Sequence, residues 1–448
     1  MPFTPARSAE TAVRPAALIQ LVNAAIAGLM SLAVLSIFTI SSALLTSWKI
    51  HYITSGGGFY EKFHPATYWV LAALFLWAIR NGDPIGDLGR MLSEAPWLLF
   101  YLVCWAWLLV QMIATKQPFT AIIDTFLLPL LFCLVIWQLS PQQKKPILWV
   151  LHLSILINIV IGYYEYFSGY RLIPLSLGDV VILGEWRSSA LLGHPLTASG
   201  VVAAYVIALV FRAAICPPII LRLPLIVFSL ASLMVFGGRT SLVTVLVILS
   251  GTAVLRMFRI LRGERISLLA VTGTICLLLI AVAAIFMVFE LGVFDKMLVR
   301  FSSDNGSAMT RYAAVSLLSH FDWYELVLGP DPARAAALQS TFGLKYGVED
   351  FWISCIAQYG ILTTALLTLG LAGLFTEILK RAAGSAWLIL LLVIIVAASS
   401  VSFSSKNIQL AQFVVLIALL LPREHTRPQT FRPRGQPRLL RPYAWDHA

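Results

Sequence analysis

Charged residues are scarce in this chain, and that scarcity excludes a soluble globular domain. Asp, Glu, Lys and Arg make up 12% of the 448 residues, whereas 59% are apolar and the mean hydropathy is +0.86. An average soluble domain carries about twice that share of charge. The composition therefore predicts an all-α polytopic membrane protein.

Paired cysteines, internal repeats and a cleavable leader are also missing. The five cysteines show no CxxC spacing and no neighbouring histidines, so we expect packing residues rather than a disulfide or a metal site. Neither a short repeat nor two matching halves is visible, which predicts one membrane domain. No cofactor is expected. Residues 1–16 lack a short apolar core followed by a cleavage site, so we expect the first span to be an uncleaved anchor. The cysteines are Cys104, Cys133, Cys216, Cys276 and Cys355.

Apolar runs of about the length that crosses a bilayer recur along nearly the whole chain. They predict about 12 transmembrane helices within a single domain at 17–421. Several runs are short, which leaves eleven spans or a re-entrant segment near 223–256 open. The tail at 422–448 is rich in Pro and Arg and is predicted to be disordered. The spans are 17–46, 66–80, 96–114, 119–139, 147–167, 189–211, 223–237, 239–256, 267–291, 350–378, 386–402 and 405–421.

The distribution of Lys and Arg predicts the orientation. With the N-terminus inside, alternate connections and both tails hold 20 of the 32 basic residues. Basic residues are retained on the cytoplasmic side, so both termini are expected in the cytoplasm and the loop at 292–349 is expected outside. Topology and anionic lipid explain the net charge of +11, and nucleic acid is not an expected partner.

Polar residues concentrate in three outward segments: 168–195, the Gly237–Thr240 turn and the loop at 292–349. That loop carries five Lys/Arg and six Asp/Glu, and chemistry is expected there. Arg187, Arg239 and Arg311 lie on the side where membrane insertion disfavours positive charge. Guanidinium groups bind phosphate through a two-pronged fork, so these arginines suit a diphosphate. The alternative is that they only set topology or reach for the membrane interface.

Several short motifs, in this order, resemble the O-antigen ligase and polymerase superfamily. The similarity covers about residues 150–375, with a large outward loop before the tenth span. The motifs are Trp186-Arg187-Ser188-Ser189-Ala190-Leu191-Leu192-Gly193-His194-Pro195, Gly238-Arg239-Thr240-Ser241, Thr310-Arg311-Tyr312 followed by Leu328-Gly329, and Glu349-Asp350-Phe351-Trp352 followed by Gln358-Tyr359-Gly360-Ile361.

The resemblance implies a GT-C-like, metal-independent glycosyltransferase at the periplasmic face of the bacterial inner membrane. Such enzymes move a glycan from undecaprenyl diphosphate to a further repeat unit (polymerase) or to the lipid A core (ligase). Outward arginines of the family are thought to hold the diphosphate, which implies this role for Arg187 and Arg311, with Arg239 as a third candidate. The implied partners are the undecaprenyl-diphosphate-linked glycan, other polysaccharide assembly proteins such as a flippase and a chain-length regulator, and membrane lipid.

One position departs from the ligase pattern. Ligases carry a His at the end of the large loop, whereas this chain has Glu349 followed by Asp350. The departure favours an exopolysaccharide-type polymerase. Glu349 is the candidate base for the acceptor hydroxyl, and the arginines would stabilise the departing diphosphate. For both acidic residues, capping of the following helix is the alternative, above all for Asp350.

Three further candidates complete the predicted site. His194 is either a second acid/base or sugar contact, or a residue that caps and packs. The loop residues His320, Asp322, Trp323 and Tyr324 form a candidate sugar-binding patch, or else they fold the loop against the membrane surface. We expect the site to be a cavity walled by 168–195 and 292–349. Within the spans, Asp124 is the carboxylate that we expect to face this cavity.

Two other classes of protein stay open. A transporter or flippase for lipid-linked sugars would place charge along a path near the midplane, whereas the distinctive residues here gather at outer span ends. A non-catalytic scaffold would tolerate the loss of single arginines, because an interface spreads its energy over several residues. A peptidoglycan-type glycosyltransferase, with an acidic residue such as Glu349 or Asp322 in its outward loop, is a related enzymatic alternative.

Overall fold

The described part of the chain is a bundle of helices. The structure is a computed structural model, and it describes residues 16–54, 56–80, 82–177, 180–181, 185–211, 217–263, 272, 307–344, 347–399 and 405–423. Apart from Thr272, the predicted ninth span at 267–291 lies outside these residues. So do 292–306 of the large loop and nearly all of both tails.

Sixteen helices and one short hairpin lie in the described residues. The helices are α1 (Ala16–Thr39), α2 (Ser42–Ser47), α3 (Pro65–Arg80), α4 (Pro84–Glu94), α5 (Pro96–Ala114), α6 (Thr120–Ile136, with a π-helical turn at Ile123–Leu127), α7 (Pro141–Ser168), α8 (Pro195–Val210), α9 (Ile219–Phe236), α10 (Arg239–Leu261), α11 (Ser307–Leu318), α12 (Trp323–Leu328), α13 (Pro332–Thr341), α14 (Phe351–Arg381), α15 (Ala386–Ala397) and α16 (Gln409–Leu420). Short 3-10 turns cover Phe59–Lys62 and Ala190–Leu192. The hairpin pairs β1 (Ser176–Leu177) with β2 (Val180–Val181) in antiparallel register.

The all-α membrane class is consistent with these helices. Five of them are long and apolar enough to cross a membrane: Leu18–Thr39 of α1, and α5, α7, α10 and α14. Six shorter helices are also apolar. Each predicted span that falls on described residues coincides with one of these eleven helices, and the count of twelve spans stays a prediction.

Two short helices, α8 and α16, form the buried centre of the bundle. Every residue from Ala198 to Leu209 in α8 is almost completely buried, and α16 is buried along nearly its whole length. α8 packs against α9, α10, α15 and α16. Small residues allow this close approach, as at Gly200, which lies against Gln409 and Phe413 of α16.

The large loop docks on α14 at a break in that helix. Gly360 has φ +80° and ψ 167°, a conformation that only glycine adopts without strain, and it interrupts the helical course of α14. Its Cα faces the backbone of Gly329 at the end of α12. Gln111 of α5 donates through Nε2 to the carbonyl oxygens of Leu328 and Tyr359, each at 2.8 Å. The Leu328-Gly329 and Tyr359-Gly360 motifs are therefore in direct contact.

A second, smaller apolar core holds the described part of the loop together. Helices α11, α12 and α13 surround it and close it against the first turns of α14. Its buried residues are Ala314, Leu317, Phe321, Ala335, Leu344, Val348 and Ala357. The described part of the loop is thus a folded unit that packs on the bundle. It positions the residues before α14 at one end of that bundle.

The connections at this end of the bundle surround a cavity, and we call it the cavity end. The last turn of α1 and the starts of α3, α8, α14 and α16 meet there. At the opposite end of the bundle the C-terminal ends of α14 and α16 are adjacent. Just beyond these ends, Ala383 N donates to Leu421 O at 2.7 Å. Arg381 at that end pairs with the buried Glu377 and stacks on Trp137 at 4.4 Å.

Replacing Gly360 by Ala tests the docking of the loop. A Cβ at this position would lie 2.4 Å from Gly329 N and 2.6 Å from Val327 O, which are backbone atoms that have no room to move aside. Together with the strained φ, this predicts a loss of about 3 kcal/mol in the free energy of unfolding. The measurement is thermal unfolding of the purified protein in detergent.

Gly251→Ala in α10 is the matched control, because no atom lies within 4 Å of its Cβ position. We expect the unfolding temperature of this control to stay unchanged or rise slightly. Equal unfolding temperatures for the two variants would show that the contact between Gly360 and Gly329 does not hold the loop.

Candidate functional site

A cavity of about 540 Å³ opens at the cavity end of the bundle. Small-molecule sites have volumes of about 300–1,000 Å³. Its wall comes from four distant stretches of the chain, within 37–64, 191–197, 310–349 and 405–412. The titratable residues that line it are Tyr52, His64, His194, Glu349 and Lys406. The two segments predicted to wall a cavity both contribute, and two unpredicted ones complete it.

The carboxylate of Glu165 at the end of α7 fixes the segment that leads into the cavity. Its side chain is 3% exposed and accepts four hydrogen bonds. Oε1 accepts from Leu172 N at 3.0 Å. Oε2 accepts from Ser188 Oγ, from Ser189 N at 3.1 Å and from Ala190 N at 2.9 Å. This single side chain therefore holds both ends of the 172–190 segment against the end of α7.

His194 lines the cavity and also caps α8. Its Nδ1 accepts a hydrogen bond from Leu196 N at 3.2 Å, which leaves the ring hydrogen on Nε2. Because Nδ1 accepts this hydrogen bond, the ring is uncharged and has its donor at Nε2, which suits the predicted sugar contact better than the predicted acid/base role.

Two arginines lie side by side near His194. Arg187 is ion-paired with Glu185, and Arg171 donates through Nη2 to the carbonyl oxygens of Glu185 and Arg187. Arg187 Nε and Arg171 Nη1 are buried without a hydrogen-bond partner among the described residues. Such N–H groups can still bind an anion. Arg171 was not among the predicted site residues.

The three predicted arginines do not converge inside the cavity. Arg187 packs its Cγ and Cδ on Gly237, which ends α9 two residues before Arg239 begins α10. Arg311 is exposed on α11, next to Thr310, which lines the cavity. None of the three is itself a lining residue. Arg187 is therefore in contact with the turn that precedes Arg239. Arg311 is not part of the cavity wall.

The two acidic residues before α14 have different surroundings. Glu349 lines the cavity. Asp350 is the N-cap of α14, and its Oδ1 accepts from Ile353 N at 2.9 Å. For Asp350 the structure thus shows the capping arrangement that was the alternative to a catalytic role, while Glu349 is placed where a ligand can reach it.

The predicted sugar patch lies on the surface of the loop and outside the cavity. His320 is exposed and contacts the Phe342 ring edge-on at 4.8 Å between centroids. Asp322 begins α12 and pairs with Arg334 at 3.3 Å. Trp323 and Tyr324 are 78% and 63% exposed. These four residues stay a predicted patch, and none of them lines the cavity.

Asp124 supports the cavity wall without lining it. The residue is fully buried in the π-helical turn of α6. Its Oδ2 accepts from Tyr52 OH and His64 N, each at 3.0 Å, and its Oδ1 accepts from Thr67 Oγ1 at 2.6 Å. Both Tyr52 and His64 line the cavity. Asp124 was expected to face the cavity, but it lies behind Tyr52 and His64, which separate it from the cavity.

Lys406 is a lining residue that sequence reasoning missed. It precedes α16, and its ammonium donates to Tyr52 O at 2.9 Å, Lys62 O at 2.5 Å and Thr120 Oγ1 at 3.5 Å. The same ammonium lies 4.1 Å above the Tyr52 ring. Its three hydrogens are used, so it contributes a fixed positive charge to the wall rather than a free donor.

Two glutamines of α16, Gln409 and Gln412, were also missed. Both line the cavity and are almost completely buried. A sequence signal existed: they lie three residues apart in an otherwise apolar helix, on the same helical face. Polar residues inside membrane spans usually face a cavity or the bundle interior, so this spacing was informative.

No protein-family model matches the chain, and no curated protein matches it significantly. The assignment of a function therefore depends on the residues themselves and on the geometry of the cavity.

Replacing Glu165 by Gln tests the support of the cavity wall. The amide keeps the size of the side chain but puts an NH₂ group where one acceptor oxygen stood, against N–H donors. We expect the free energy of unfolding to fall by about 2 kcal/mol, since buried donors lose their acceptor. Thermal unfolding of the purified protein measures this, and proteolysis within 172–190 should become faster.

The control is Glu94→Gln at the opposite end of the bundle, where the side chain is exposed. It should unfold at the temperature of the unchanged protein. If Glu165→Gln also did so, the 172–190 segment would be held by other contacts.

Proposed function

We propose that the chain polymerises undecaprenyl-diphosphate-linked oligosaccharide repeat units into a surface or secreted polysaccharide. On this proposal it is a metal-independent membrane glycosyltransferase of the bacterial inner membrane. It would work at the periplasmic face with a flippase and a chain-length regulator as partners.

The observation that carries the proposal is the meeting of distant motifs at one cavity. His194 belongs to the first motif, Thr310 opens the third, and Glu349 opens the fourth. All three line the same cavity. The second motif begins at Gly238, directly after Gly237, which packs on Arg187 of the first motif. Such convergence is expected of residues that serve one site, and a chance set of short motifs would scatter over the bundle.

The geometry supports a division of roles. The unpartnered N–H groups of Arg187 and Arg171 suit the oxygens of a diphosphate, and the position of Glu349 suits a base. In the proposed step the acceptor hydroxyl oxygen forms a bond to the anomeric carbon of the donor. The bond from that carbon to the diphosphate oxygen breaks, and its electron pair leaves with the diphosphate. The hydroxyl proton goes to Glu349.

Orientation follows from the basic residues. The cavity end of the bundle corresponds to the side that holds fewer Lys and Arg, which supports a periplasmic cavity with both termini in the cytoplasm. A lipid-linked donor presented on that side would reach the cavity without crossing the membrane.

A transporter or flippase for lipid-linked sugars is the second candidate function. It would need polar groups along a path through the bundle. In the described residues the lining charges gather at one end, and the buried Asp124 is fully engaged with neighbouring side chains and backbone. These observations favour an enzyme. Ligation to the lipid A core is the other enzymatic alternative, and Glu349 in place of the ligase His disfavours it.

Glycans from cells without this protein test the function. We expect single repeat units to accumulate on the carrier lipid at the outer face, with no polymer. Arg187→Ala should reproduce this state, because the diphosphate would lose its hydrogen bonds to the guanidinium group. Arg311→Ala tests the role that the family resemblance implies for that arginine. Arg259→Ala, on the exposed far end of α10, is the control and should leave polymer at its normal level.

The other outcomes discriminate between the candidates. Full-length polymer stranded on the carrier would indicate a ligase, and units trapped on the cytoplasmic side would indicate a transporter. Normal polymer in cells without the protein would contradict all three glycan functions.

Neighbouring acidic residues give a matched pair of variants for the catalytic role. Glu349→Gln should lower polymer formation by about 100-fold or more, because the amide has no useful basicity. Asp350→Asn should keep most of the activity, since Asn caps a helix about as well as Asp. The readout is polymer formed by purified protein in lipid nanodiscs from lipid-linked repeat units.

Unchanged polymer output in Glu349→Gln would remove Glu349 from the mechanism. Loss of activity in Asp350→Asn, with normal thermal unfolding, would instead move the catalytic role to Asp350.

A further inference from the structure

Two buried glutamines at the inner end of the cavity have amide atoms with no partner. Gln409 is 1% exposed and Gln412 is 2% exposed. Neither Nε2 nor Oε1 of Gln409 meets a hydrogen-bond partner among the described residues, and the same holds for Oε1 of Gln412. Both side chains line the cavity. Burying unpaired amide atoms is unfavourable, so their position calls for a ligand that pairs with them.

The backbone around these glutamines is firmly fixed. Asn407 Oδ1 accepts from Gln409 N at 2.9 Å, and Asn407 N donates to Thr125 Oγ1 at 3.3 Å. Gln412 Nε2 donates to Ile37 O at 2.9 Å. The start of α16 is thereby tied to α6 and to α1. The remaining amide atoms are presented by a rigid element, as binding sites require.

Within the described part of the chain, this end of the cavity offers no free charged hydrogen-bond donor. The three hydrogens of Lys406 are taken by protein oxygens. An amide both donates and accepts, which matches a hydroxyl group that also does both. The side chains of Ile37, Leu196 and Ile408 supply apolar wall beside the amides, suited to the C–H face of a ring.

We propose that Gln409 and Gln412 form a subsite for an uncharged, hydroxyl-bearing sugar ring of the glycan, separate from the arginines that would hold the diphosphate. Gln409 donates from Nε2 to one hydroxyl oxygen and accepts at Oε1 from another hydroxyl. Gln412 accepts through Oε1. That the sugar belongs to a lipid-linked glycan rests on the proposed function, whereas the existence of the subsite does not.

Direct binding tests the subsite. The probe is the oligosaccharide repeat unit of the host's own polysaccharide, released from its carrier lipid by mild acid. Its affinity for the full-length protein in lipid nanodiscs is measured by calorimetry. We expect Gln409→Leu and Gln412→Leu each to weaken binding about five- to tenfold, as the loss of hydrogen bonds between uncharged groups predicts. Gln138→Leu, at the exposed end of α6, is the control and should bind normally.

Thermal unfolding without glycan separates binding from a structural role. Replacing the unpaired amide of Gln409 by an apolar group of similar size should leave the unfolding temperature unchanged or raise it. Gln412→Leu also removes the hydrogen bond to Ile37 O, so we expect it to unfold at a slightly lower temperature. If Gln409→Leu unfolded at a clearly lower temperature and both Leu variants bound glycan normally, the glutamines would be structural and the proposal would be wrong. Failure of the unchanged protein to bind the glycan would also overturn it.

The cell experiment keeps the two proposals distinguishable. Polymer that persists without the protein would defeat the proposed function but leave a measured glycan subsite standing. Polymer that depends on the protein, combined with normal glycan affinity in both Leu variants, would defeat the subsite alone.

Discussion

A buried carboxylate at the end of α7 is the contact on which the cavity depends. Glu165 accepts hydrogen bonds from Leu172 and from three successive residues at Ser188–Ala190. Backbone N–H groups in an apolar bundle need such acceptors, because unpaired donors there are costly. By satisfying them, Glu165 allows a non-helical segment to lie across the bundle's end. His194 and Arg187 are positioned by that segment.

Other buried polar groups around the cavity are also paired with hydrogen-bond partners. Asp124 pairs with Tyr52, Thr67 and the backbone of His64, and Lys406 caps carbonyl oxygens that no helix uses. Among the described residues, the side chains of Asp124 and Lys406 are thus fully paired, whereas the amide atoms of Gln409 and one N–H group each of Arg171 and Arg187 have no partner. The paired groups hold the wall, and the unpaired groups are left for a ligand.

Sequence patterns located the helices well and the site in part. Long apolar runs predicted the helices because lipid exposure demands them, and the helix at 66–80 was placed within one residue of α3. The first run, 17–46, was wrong as one helix, since the chain leaves α1 at Thr39 and restarts at Ser42. Apolar composition continues across that break, so hydropathy alone has no means of detecting it. Residues 40–43, which lie at this break, are among those that line the cavity.

The sequence by itself determined the membrane class, the positions of most helices and the segments that carry the distinctive polar residues. These follow from local composition, which acts through transfer of side chains between water and lipid. The tertiary structure alone decided that Glu349 lines the cavity while Asp350 caps a helix, and that Gln409 lines the cavity from a distant helix. Neighbours in sequence carry no information about which side chain turns inward, because contacts between residues hundreds of positions apart set that choice.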